Sequence, residues 1–336
     1  MSLADKLVEA WYTPRVSPML LPLLPFAAVF GQLAGGRRLA YRRGWLSVRR
    51  LPVPVCVVGN ITVGGTGKTP MVIALAEGLA ARGWSPGLIT RGHGGSSSAT
   101  RRVRPEDSPA VAGDEALLLA ASGFPVWAGA DRVAAGEALL RTQPECDVLL
   151  ADDGLQHYRL ARSAELAVID AARGLGNGLL LPAGPLREPA SRLAEVDAVV
   201  WHESAQAQAP AGARWVMRLE GDSFRQVAAP ANEALAAAFF GKRIVAVAAI
   251  GNPQRFFVSL AACGLSFTAQ AFPDHHAYRA ADLAFPEAEV ILMTAKDAVK
   301  CRDFADPRLW YLPVRASLPP GLVELLEEKL RGSQTA

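Results

Sequence analysis

The chain has 336 residues, of which 51% are hydrophobic, 20% are charged and 7% are aromatic. This composition excludes a disordered or low-complexity chain, and the length, about twice that of a typical domain, predicts two domains. The formal net charge is only +3, but residues 1–50 hold eight basic and two acidic residues, so they carry +6 and the remainder carries −3. A basic excess at one end argues against a broad nucleic-acid-binding groove and indicates a local contact with an anionic partner.

The four cysteines, Cys56, Cys146, Cys263 and Cys301, lie far apart in the sequence and include no CxxC pair or metal-ligand spacing. Isolated cysteines of this kind are typical of small, buried apolar side chains in a reducing compartment. We therefore expect free thiols rather than disulfides or a metal centre.

The N-terminal region contains an apolar run, Met19–Phe30, which is interrupted by Pro22 and Pro25. The run has twelve residues, whereas a membrane-spanning helix needs roughly 20. Because Asp5 and Glu9 precede it and the two prolines break it, it is also a poor signal peptide. An apolar segment followed by an arginine-rich one suits a membrane interface, but it equally suits a helical hairpin packed on its own domain.

From residue 54 onward the hydrophobic pattern alternates between strands and helices. Apolar runs predict strands at 54–60, 86–90, 124–129, 147–153, 166–170 and 196–202. Helical patterns lie between them at 70–82, 114–122 and 132–141, and residues 94–100 have the composition of a loop. This alternation predicts an α/β fold with a doubly wound parallel sheet, in which 196–202 is the last strand.

A second, smaller α/β series follows. A polar, Ala/Pro/Gly-rich stretch at 203–212 predicts a linker, and alternation around Gly221 and Asp222 predicts a β-hairpin over 214–228. Strands are then predicted at 243–251, 267–272, 290–294 and 310–314, and helices at 253–263 and 320–331. We therefore divide the chain into an N-terminal segment (1–35), a first α/β domain (36–210) and a second lobe (211–336).

A glycine-rich turn, GNITVGGTGKTP from Gly59 to Pro70, joins the first strand to the first helix. Small residues let consecutive backbone N–H groups surround a phosphate, and the helix N-terminus adds a partial positive charge. Thr62 departs from the consensus G-x-x-x-x-G-K-[ST], but an intact GKT between a strand and a helix favours a phosphate-binding loop (P-loop) over a chance turn. We expect an ATP or GTP site formed by Thr62, Val63, Gly64, Gly65, Thr66, Gly67, Lys68 and Thr69.

The strand predicted at 147–153 ends in two adjacent carboxylates, Asp152 and Asp153. The carboxyl end of a parallel strand beside a P-loop is where a bound Mg²⁺ needs a second anchor. Since neighbouring carboxylates repel each other unless cations share their site, the pair strengthens this expectation.

Seven motifs occur in order along the chain: VGNITVGGTGKTP (58–70), TRGHGG (90–95), GDEALLL (113–119), DDGLQH (152–157), LLPAGPLREP (180–189), FPDHHAY (272–278) and TAKDAVK (294–300). Together they resemble the tetraacyldisaccharide 4'-kinase family of lipid A biosynthesis over nearly the whole chain. The resemblance implies a P-loop kinase with a membrane-associating helical N-terminus, which uses ATP and Mg²⁺. The implied reaction is transfer of the ATP γ-phosphate to the 4'-hydroxyl of a lipid-linked tetraacyl glucosamine disaccharide 1-phosphate, giving lipid IVA.

The family resemblance also implies a location and partners. The expected place is the cytoplasmic face of the inner membrane of a Gram-negative bacterium, as a peripheral or monotopic protein. The lipid A precursor disaccharide 1-phosphate is then the partner, with no nucleic acid and no obligate protein partner. An anionic lipid substrate makes the interfacial interpretation of residues 1–50 the favoured one.

Residue roles follow from the same resemblance. Asp114 is expected to act as the base together with His275 of the second lobe, a pair that forms only when the lobes close. Lys68 and Asp153 complete the catalytic set, and the predicted metal ligands are Thr69, Glu115 and Asp153, flanked by Asp152 and Gln156. The resemblance implies that the anionic disaccharide contacts Arg91, Arg132, Gln156, His157 and Arg187, and the arginines suit it because guanidinium binds phosphate bidentately.

Several of these residues could have a simpler role. Asp114 could only cap its helix, and Arg132 could be a solvated helix residue. Asp274 could orient a neighbour rather than react, and His276 could replace His275 as the working imidazole.

Two positions depart from the family pattern. His93 stands where a tyrosine is usual, which leaves its substrate contact open. Ala295 replaces an acid near the presumed adenine pocket, where Lys296 and Asp297 remain.

Two other functions compete with a kinase. A membrane-associated partitioning-type ATPase also uses a glycine-rich loop on a doubly wound sheet, but its signature lysine is replaced here by Val63. A regulatory lipid-binding module would use nucleotide without chemistry on a lipid, and it would have no need of a base on a second lobe.

Overall fold

Two sheets and the helices around them build the protein. The computed structural model describes residues 3–13, 15–96, 99–204 and 207–334. Within these ranges the helices are α1 (Leu3–Trp11), α2 (Leu24–Arg42), α3 (Lys68–Ala80), α4 (Pro109–Ala112), α5 (Asp114–Ala120), α6 (Arg132–Thr142), α7 (Pro253–Ala262), α8 (Ala295–Ala298) and α9 (Leu322–Gln334). Short 3₁₀ turns lie at Pro18–Leu23, Ala190–Glu195, Ala236–Phe239 and Ala280–Leu283.

The described residues form one sheet of nine strands and one of six. The strands are β1 (Val55–Gly59), β2 (Pro86–Thr90), β3 (Arg101–Val103), β4 (Val126–Ala128), β5 (Val148–Asp152), β6 (Ala164–Asp170), β7 (Ala198–Glu203), β8 (Trp215–Glu220), β9 (Ser223–Gln226), β10 (Glu233–Leu235), β11 (Ile244–Ala248), β12 (Thr268–Ala271), β13 (Val290–Thr294), β14 (Leu309–Leu312) and β15 (Arg315–Ser317).

The large sheet confirms the predicted doubly wound fold. Its strand order is β15-β8-β7-β6-β1-β5-β2-β4-β3, and neighbours run parallel from β8 to β4, with an antiparallel strand at each edge. Strands β1, β2 and β5 are buried along their whole length, as expected for a parallel sheet covered on both faces. Alternate residues of β1 enter separate cores on the two faces, Cys56 and Val58 on one and Val55 and Val57 on the other.

The prediction of a β-hairpin over 214–228 is wrong. Both strands exist, but β8 pairs with β7 and β15 in the large sheet, whereas β9 pairs with β10 and β14 in the small sheet. The turn at Gly221 and Asp222 therefore carries the chain from one sheet to the other. A Cβ built on Gly221 would lie 2.4 Å from the carbonyl oxygen of Pro313, because the outgoing and returning segments pass side by side there.

The chain returns to the large sheet through β15 and α9. The prediction that 196–202 is the last strand of this sheet is therefore wrong, because β8 and β15 lie beyond it. Sheet membership changes after β8, one strand later than the boundary that we place near residue 210. Residues 205 and 206 of the predicted linker, like 97 and 98 of the predicted loop, lie outside the described residues. We propose dividing the chain by sheet membership instead, with 222–314 as a lobe inserted into the large α/β domain.

Helix α9 joins the core beneath the large sheet. Leu322, Leu326 and Leu330 recur at four-residue intervals, so they lie on one face of the helix, and all three are buried. They belong to the same apolar cluster as α3, on which a Cβ at Gly78 would lie 2.9 Å from Val323. The C-terminal helix thus packs on the first helix of the α/β domain.

The small sheet has the order β10-β9-β14-β13-β11-β12. Strands β14, β13, β11 and β12 run parallel, and β9 and β10 add antiparallel edges. Its two faces carry separate apolar clusters. The four cysteines are free thiols, three of them buried and Cys263 half-buried, in agreement with the sequence.

The apolar N-terminal run belongs to a longer helix than we predict. Within the described residues one helix, Pro18–Arg42, is long and apolar enough by length and composition to cross a membrane, and it has 25 residues. Pro22 lies in the initial 3₁₀ turn and Pro25 in the first turn of α2, where a missing N–H breaks no helical hydrogen bond. Since Phe26 and Leu33 are 64% and 69% exposed, the helix fits a membrane-associating segment, although Arg37 and Arg38 of the same helix also contact the α/β domain.

Replacing Leu326 by Ala tests the position of α9. Leu326 is buried, so the variant should lose about 2–5 kcal/mol of unfolding free energy in urea denaturation. Leu235→Ala, which truncates an exposed leucine of β10, should change it by less than about 0.5 kcal/mol. Equal effects of the two substitutions would contradict the packing of α9 on the large sheet.

Candidate functional site

The P-loop lies at the carboxyl edge of the large sheet, between β1 and α3. Gly64 and Gly67 have φ angles of 96° and 91°, in the region that favours glycine, and Gly67 is the residue immediately before α3. Of the described residues other than glycine, only Asp153 and His275 have positive φ. Thr62 therefore has an ordinary backbone conformation, which explains why a threonine is tolerated where the consensus has glycine.

The LLPAGPLREP segment runs alongside the P-loop. The Val63 N–H donates to the Pro185 carbonyl at 2.9 Å, and the Arg187 N–H donates to the Ile61 carbonyl at 2.7 Å. This backbone pairing brings the Arg187 side chain to Asp153, where Nη1 lies 3.1 Å from Oδ2. The distant LREP motif is thus part of the P-loop structure.

Asp152 and Asp153 point to different partners. Asp152, the last residue of β5, accepts a hydrogen bond from the Thr69 hydroxyl at 2.9 Å. Asp153 has a φ of 51° and faces Arg187 and Lys68, whose Nζ lies 3.5 Å from Oδ1. Although burial opposes it, Lys68 and Arg187 hold the pKa of Asp153 well below its usual range. The metal-binding role of Asp153 stays a prediction, since its carboxylate is paired with cations here.

The surroundings of Thr69 suit a divalent cation. Burial, together with the nearby carboxylate of Glu115, raises the pKa of Asp152 to about 7, and its Oδ1 is buried with no hydrogen-bond partner. In the described part of the chain, no three His, Cys, Asp or Glu side chains form a metal-binding group. Because Mg²⁺ is commonly held by one or two carboxylates together with phosphate oxygens and water, Thr69 and Asp152 still fit it.

The two lobes meet at the predicted Asp114–His275 pair. Asp114 is the first residue of α5 and is buried, and its Oδ2 lies 3.0 Å from Nδ1 of His275. The hydrogen bond with Asp114 raises the pKa of His275, and burial only partly offsets it. The pKa of Asp114 is lowered, because the His275 bond and Lys296 outweigh burial. Asp114 is therefore more than a helix cap.

Lys296 extends this pair into a chain of polar contacts. Its Nζ lies 3.4 Å from Nε2 of His275 and 3.2 Å from Oε1 of Glu115. Burial lowers the pKa of Lys296, but Glu115 and Asp114 outweigh it and raise the pKa overall. The family pattern places Lys296 near the adenine, whereas in the structure it lies among the catalytic candidates.

Asp274, His276 and His93 also have contacts at this junction. Asp274 accepts a hydrogen bond from the His275 N–H at 3.0 Å, so it orients the histidine. His276 pairs with Asp282 at 3.0 Å and stacks on Phe272, so it faces away from Asp114. The His93 ring packs edge-on against His275 at 5.1 Å between centroids.

The residues predicted to bind the disaccharide lie beside Asp153. Arg132 is buried, and its Nη2 donates to the Asp153 carbonyl at 3.1 Å, so it is not a solvated helix residue. Gln156 donates to the Asn60 carbonyl at 3.0 Å and to Glu188. Burial, with Arg132 nearby, lowers the pKa of His157 to about 4, so this imidazole is neutral near pH 7.

Arg91 and Ala295 complete the predicted set. Arg91 is exposed, and it lies near enough to Arg132 to help lower the pKa of that guanidinium, after burial. Ala295 is the first residue of the short helix α8, which the Thr294 hydroxyl caps by accepting from the Asp297 N–H at 3.1 Å. The acid missing at 295 is not needed for this local structure.

Three residues near the P-loop are not predicted from the sequence as functional: Asp170, His202 and Arg255. Arg255 of α7 forms an ion pair with Asp170, and its Nη1 lies 3.1 Å from Nδ1 of His202. The sequence carries a signal for one of them, because Asp170 ends an apolar strand just as Asp152 does. His202 and Arg255 have no such signal, since their partners are distant in sequence.

Comparison with known proteins identifies relatives over nearly the whole chain. The family model described as Tetraacyldisaccharide-1-P 4'-kinase (LpxK) matches residues 19–331. Tetraacyldisaccharide 4'-kinase of Azoarcus sp. (strain BH72) is 55% identical over 317 residues, covering 94% of this chain and 93% of that protein. The protein of the same name from Chromobacterium violaceum is 49% identical over 335 residues, covering 97% and 98%.

A solved structure supports the fold. LpxK from Aquifex aeolicus in complex with ATP superposes with a TM-score of 0.78 at 28% sequence identity. The match covers 93% of this chain and 99% of that chain.

The interaction of Asp114 with His275 predicts how the histidine titrates. In Asp114→Asn the carboxylate that stabilises the imidazolium is gone, so the pKa of His275 should fall below its wild-type value. The measurement is a pH titration of histidine ring signals by NMR, with His275→Gln used to assign the signal. Asp282→Asn removes the carboxylate beside the adjacent His276 and should leave the pKa of His275 unchanged. An unshifted His275 in Asp114→Asn would contradict the pairing.

Proposed function

The chain belongs to the tetraacyldisaccharide-1-P 4'-kinase family of ATP-dependent transferases, and from this we propose that it phosphorylates a lipid A precursor. The proposed reaction transfers the γ-phosphate of ATP to the 4'-hydroxyl of a tetraacyl glucosamine disaccharide 1-phosphate, giving lipid IVA. The observation that carries the proposal is the Asp114–His275 pair, held at 3.0 Å across the two lobes and next to a P-loop.

The pair supplies what transfer to a hydroxyl requires besides a nucleotide site. As the new P–O bond forms, the acceptor hydroxyl must lose its proton to a nearby group. We assign that proton to the Asp114 carboxylate, with the His275 ring hydrogen-bonded to it and stabilising its orientation. Because the two residues come from different lobes, the base is complete only when the lobes are together.

The nucleotide is proposed to bind through the P-loop. Its backbone N–H groups and the N-terminus of α3 attract phosphate oxygens, and Lys68 would exchange its contact with Asp153 for the β- and γ-phosphates. Mg²⁺, when bound at Thr69 and Asp152, would neutralise phosphate charge, with Glu115 nearby. Arg187, fixed by its backbone to the P-loop, adds a cation on the side of the transferred group.

The acceptor is proposed to lie on the opposite side of Asp153 from Lys68. Arg91, Arg132, Gln156 and His157 are the residues we propose for the anionic disaccharide. Two arginines and a neutral imidazole match a sugar phosphate, because guanidinium binds phosphate and imidazole hydrogen-bonds a hydroxyl.

The competing functions lack a feature that they need. A partitioning-type ATPase needs its signature lysine at position 63, where this chain has Val63. A regulatory lipid-binding module would have no use for the inter-lobe base. We therefore favour the kinase over both.

We further propose that the protein acts as a peripheral or monotopic protein at the cytoplasmic face of the inner membrane. The exposed apolar side chains of α2 and the arginines of the same helix suit insertion among anionic headgroups. The proposed substrate stays in the bilayer, and no protein or nucleic-acid partner is needed for the reaction.

A phosphorylation assay tests the reaction. Protein, Mg²⁺ and γ-labelled ATP are incubated with the disaccharide 1-phosphate lipid, and label is expected on the lipid. Asp114→Asn should lower turnover by about 10²–10⁴-fold, far more than it weakens ATP binding, because it removes the base. Lys68→Ala should lower both turnover and ATP affinity, since Lys68 is proposed to contact the phosphates of the nucleotide.

Asp282→Asn is the matched control for the loss of an aspartate beside a histidine, and its turnover should stay within about twofold of wild type. Label found only in free phosphate would contradict the kinase proposal.

Vesicle binding tests the proposed membrane contact. Phe26→Asp combined with Leu33→Asp should lower co-sedimentation with anionic phospholipid vesicles at least about tenfold, because two inserted apolar side chains become charged. Leu235→Asp combined with Phe240→Asp places the same charges at exposed apolar positions of the second lobe and should have little effect. A similar loss in both double variants would argue against α2 as the contact.

A further inference from the structure

A second inter-lobe contact lies behind the P-loop. Arg255, near the start of α7, pairs with the carboxylate of Asp170 at the end of β6, and its Nη1 lies 3.1 Å from Nδ1 of His202 in β7. Asp170 and His202 are 3% and 2% exposed. At such burial no water replaces a lost partner, so each contact depends closely on the position of the second lobe.

The same histidine nitrogen touches the P-loop. Nδ1 of His202 lies 2.9 Å from the carbonyl oxygen of Thr66. A Cβ built on Gly67 would stand only 2.7 Å from that nitrogen, so the ring packs directly against the residue before α3. His202 is thus in contact with both the second lobe and the loop expected to hold phosphate.

These two contacts of Nδ1 compete. Burial, reinforced by Arg255, lowers the pKa of His202 to about 4, so the imidazole is neutral near pH 7. A neutral ring nitrogen either donates its N–H or accepts, whereas arginine only donates. Nδ1 therefore accepts from Arg255 or donates to Thr66, and it cannot do both at once.

We propose that Arg255 is a positioning residue for the P-loop, which acts by deciding whether Nδ1 of His202 accepts from the second lobe or donates to the Thr66 carbonyl. With the lobes together, as here, both partners lie within hydrogen-bond distance of Nδ1, and when Arg255 donates to it the Thr66 carbonyl loses this donor. When the second lobe moves away, the ring takes the other tautomer and holds Thr66. The shape of the P-loop and the position of the second lobe are thereby linked.

A neighbouring contact places the same part of the second lobe against the front of the loop. Arg173 donates to the Gly251 carbonyl at 2.7 Å. A Cβ on Gly251 would lie 3.2 Å from the Gly65 nitrogen, so Gly251 approaches the loop closely. Lobe movement therefore alters contacts on two sides of the P-loop together, which is what coupling between them requires.

The variant Arg255→Lys tests whether Arg255 positions the P-loop through His202 or only stabilises the fold. Lysine keeps a positive charge facing Asp170, but its one nitrogen replaces the two that the arginine fork places on separate partners, Nη2 on Asp170 and Nη1 on His202, so we expect the contact with His202 to be lost. The thermal midpoint should stay near that of wild type. The ¹⁵N shifts of the His202 ring, assigned with His202→Phe, should change from an unprotonated to a protonated Nδ1. The dissociation constant for ATP, titrated with Mg²⁺ and no lipid, should change at least about fivefold.

The matched control is Arg302→Lys, because Arg302 is another second-lobe arginine that donates to the large α/β domain, at the carbonyl of Pro105 after β3. It should leave the His202 tautomer and the ATP affinity unchanged. In a His202→Phe background, Arg255→Lys should have no further effect on ATP affinity, since the ring that transmits the change is gone.

An unchanged His202 tautomer in Arg255→Lys would overturn the proposal, and so would effects of Arg255→Lys and His202→Phe that simply add. Either result would leave Arg255 with a stabilising role only. The inference rests on the proposed nucleotide site, but ATP binding is measured here without lipid. A failure of lipid phosphorylation is therefore distinguishable from a failure of this coupling.

Discussion

Two buried carboxylates at the carboxyl edge of the large sheet dictate how the lobes are arranged. Asp114 and Asp170 are almost inaccessible to water, and a buried carboxylate is stable in its charged form only when a cation or several donors face it. In both cases the main partner comes from the second lobe, His275 for Asp114 and Arg255 for Asp170. If the lobes separated, each carboxylate would lose its main partner. The pairs that build the site therefore also hold the lobes together.

The two lysines of the site already have carboxylate partners. Lys68 lies against Asp153, and Lys296 lies against Glu115. An incoming phosphate therefore exchanges one anionic partner of a lysine for another, which avoids leaving an unpaired ammonium in a partly buried site at any stage. The different partners also explain why two adjacent aspartates are tolerated: Asp153 is paired with cations, and Asp152, whose pKa is raised, accepts a hydrogen bond from Thr69.

Local pattern is enough to predict the P-loop and the parallel strands, whereas the meeting of Asp114 with His275 is predicted only by the resemblance to the kinase family. The sequence does not show in which direction a side chain points or which strands pair with each other. Asp152 and Asp153 are adjacent letters, but a positive φ at Asp153 turns it towards Lys68 while Asp152 faces Thr69. Strands 215–220 and 223–226 alternate like a hairpin, yet alternation reports only which side chains share a face, and partner choice was decided by strands distant in sequence.

The position of the second lobe in the chain limits how the site can open. The segment that enters the lobe and the segment that leaves it lie next to each other, with Gly221 against the Pro313 carbonyl. After this point the chain rejoins the large α/β domain, where β15 pairs with β8 and α9 packs in the core. Two adjacent connections resist translation of the lobe but allow rotation about this point. Such a rotation would change the contacts of His275 and Arg255 together, since both residues are carried by the inserted lobe. One movement of the second lobe would therefore affect both the Asp114–His275 pair and the contacts of Arg255 behind the P-loop.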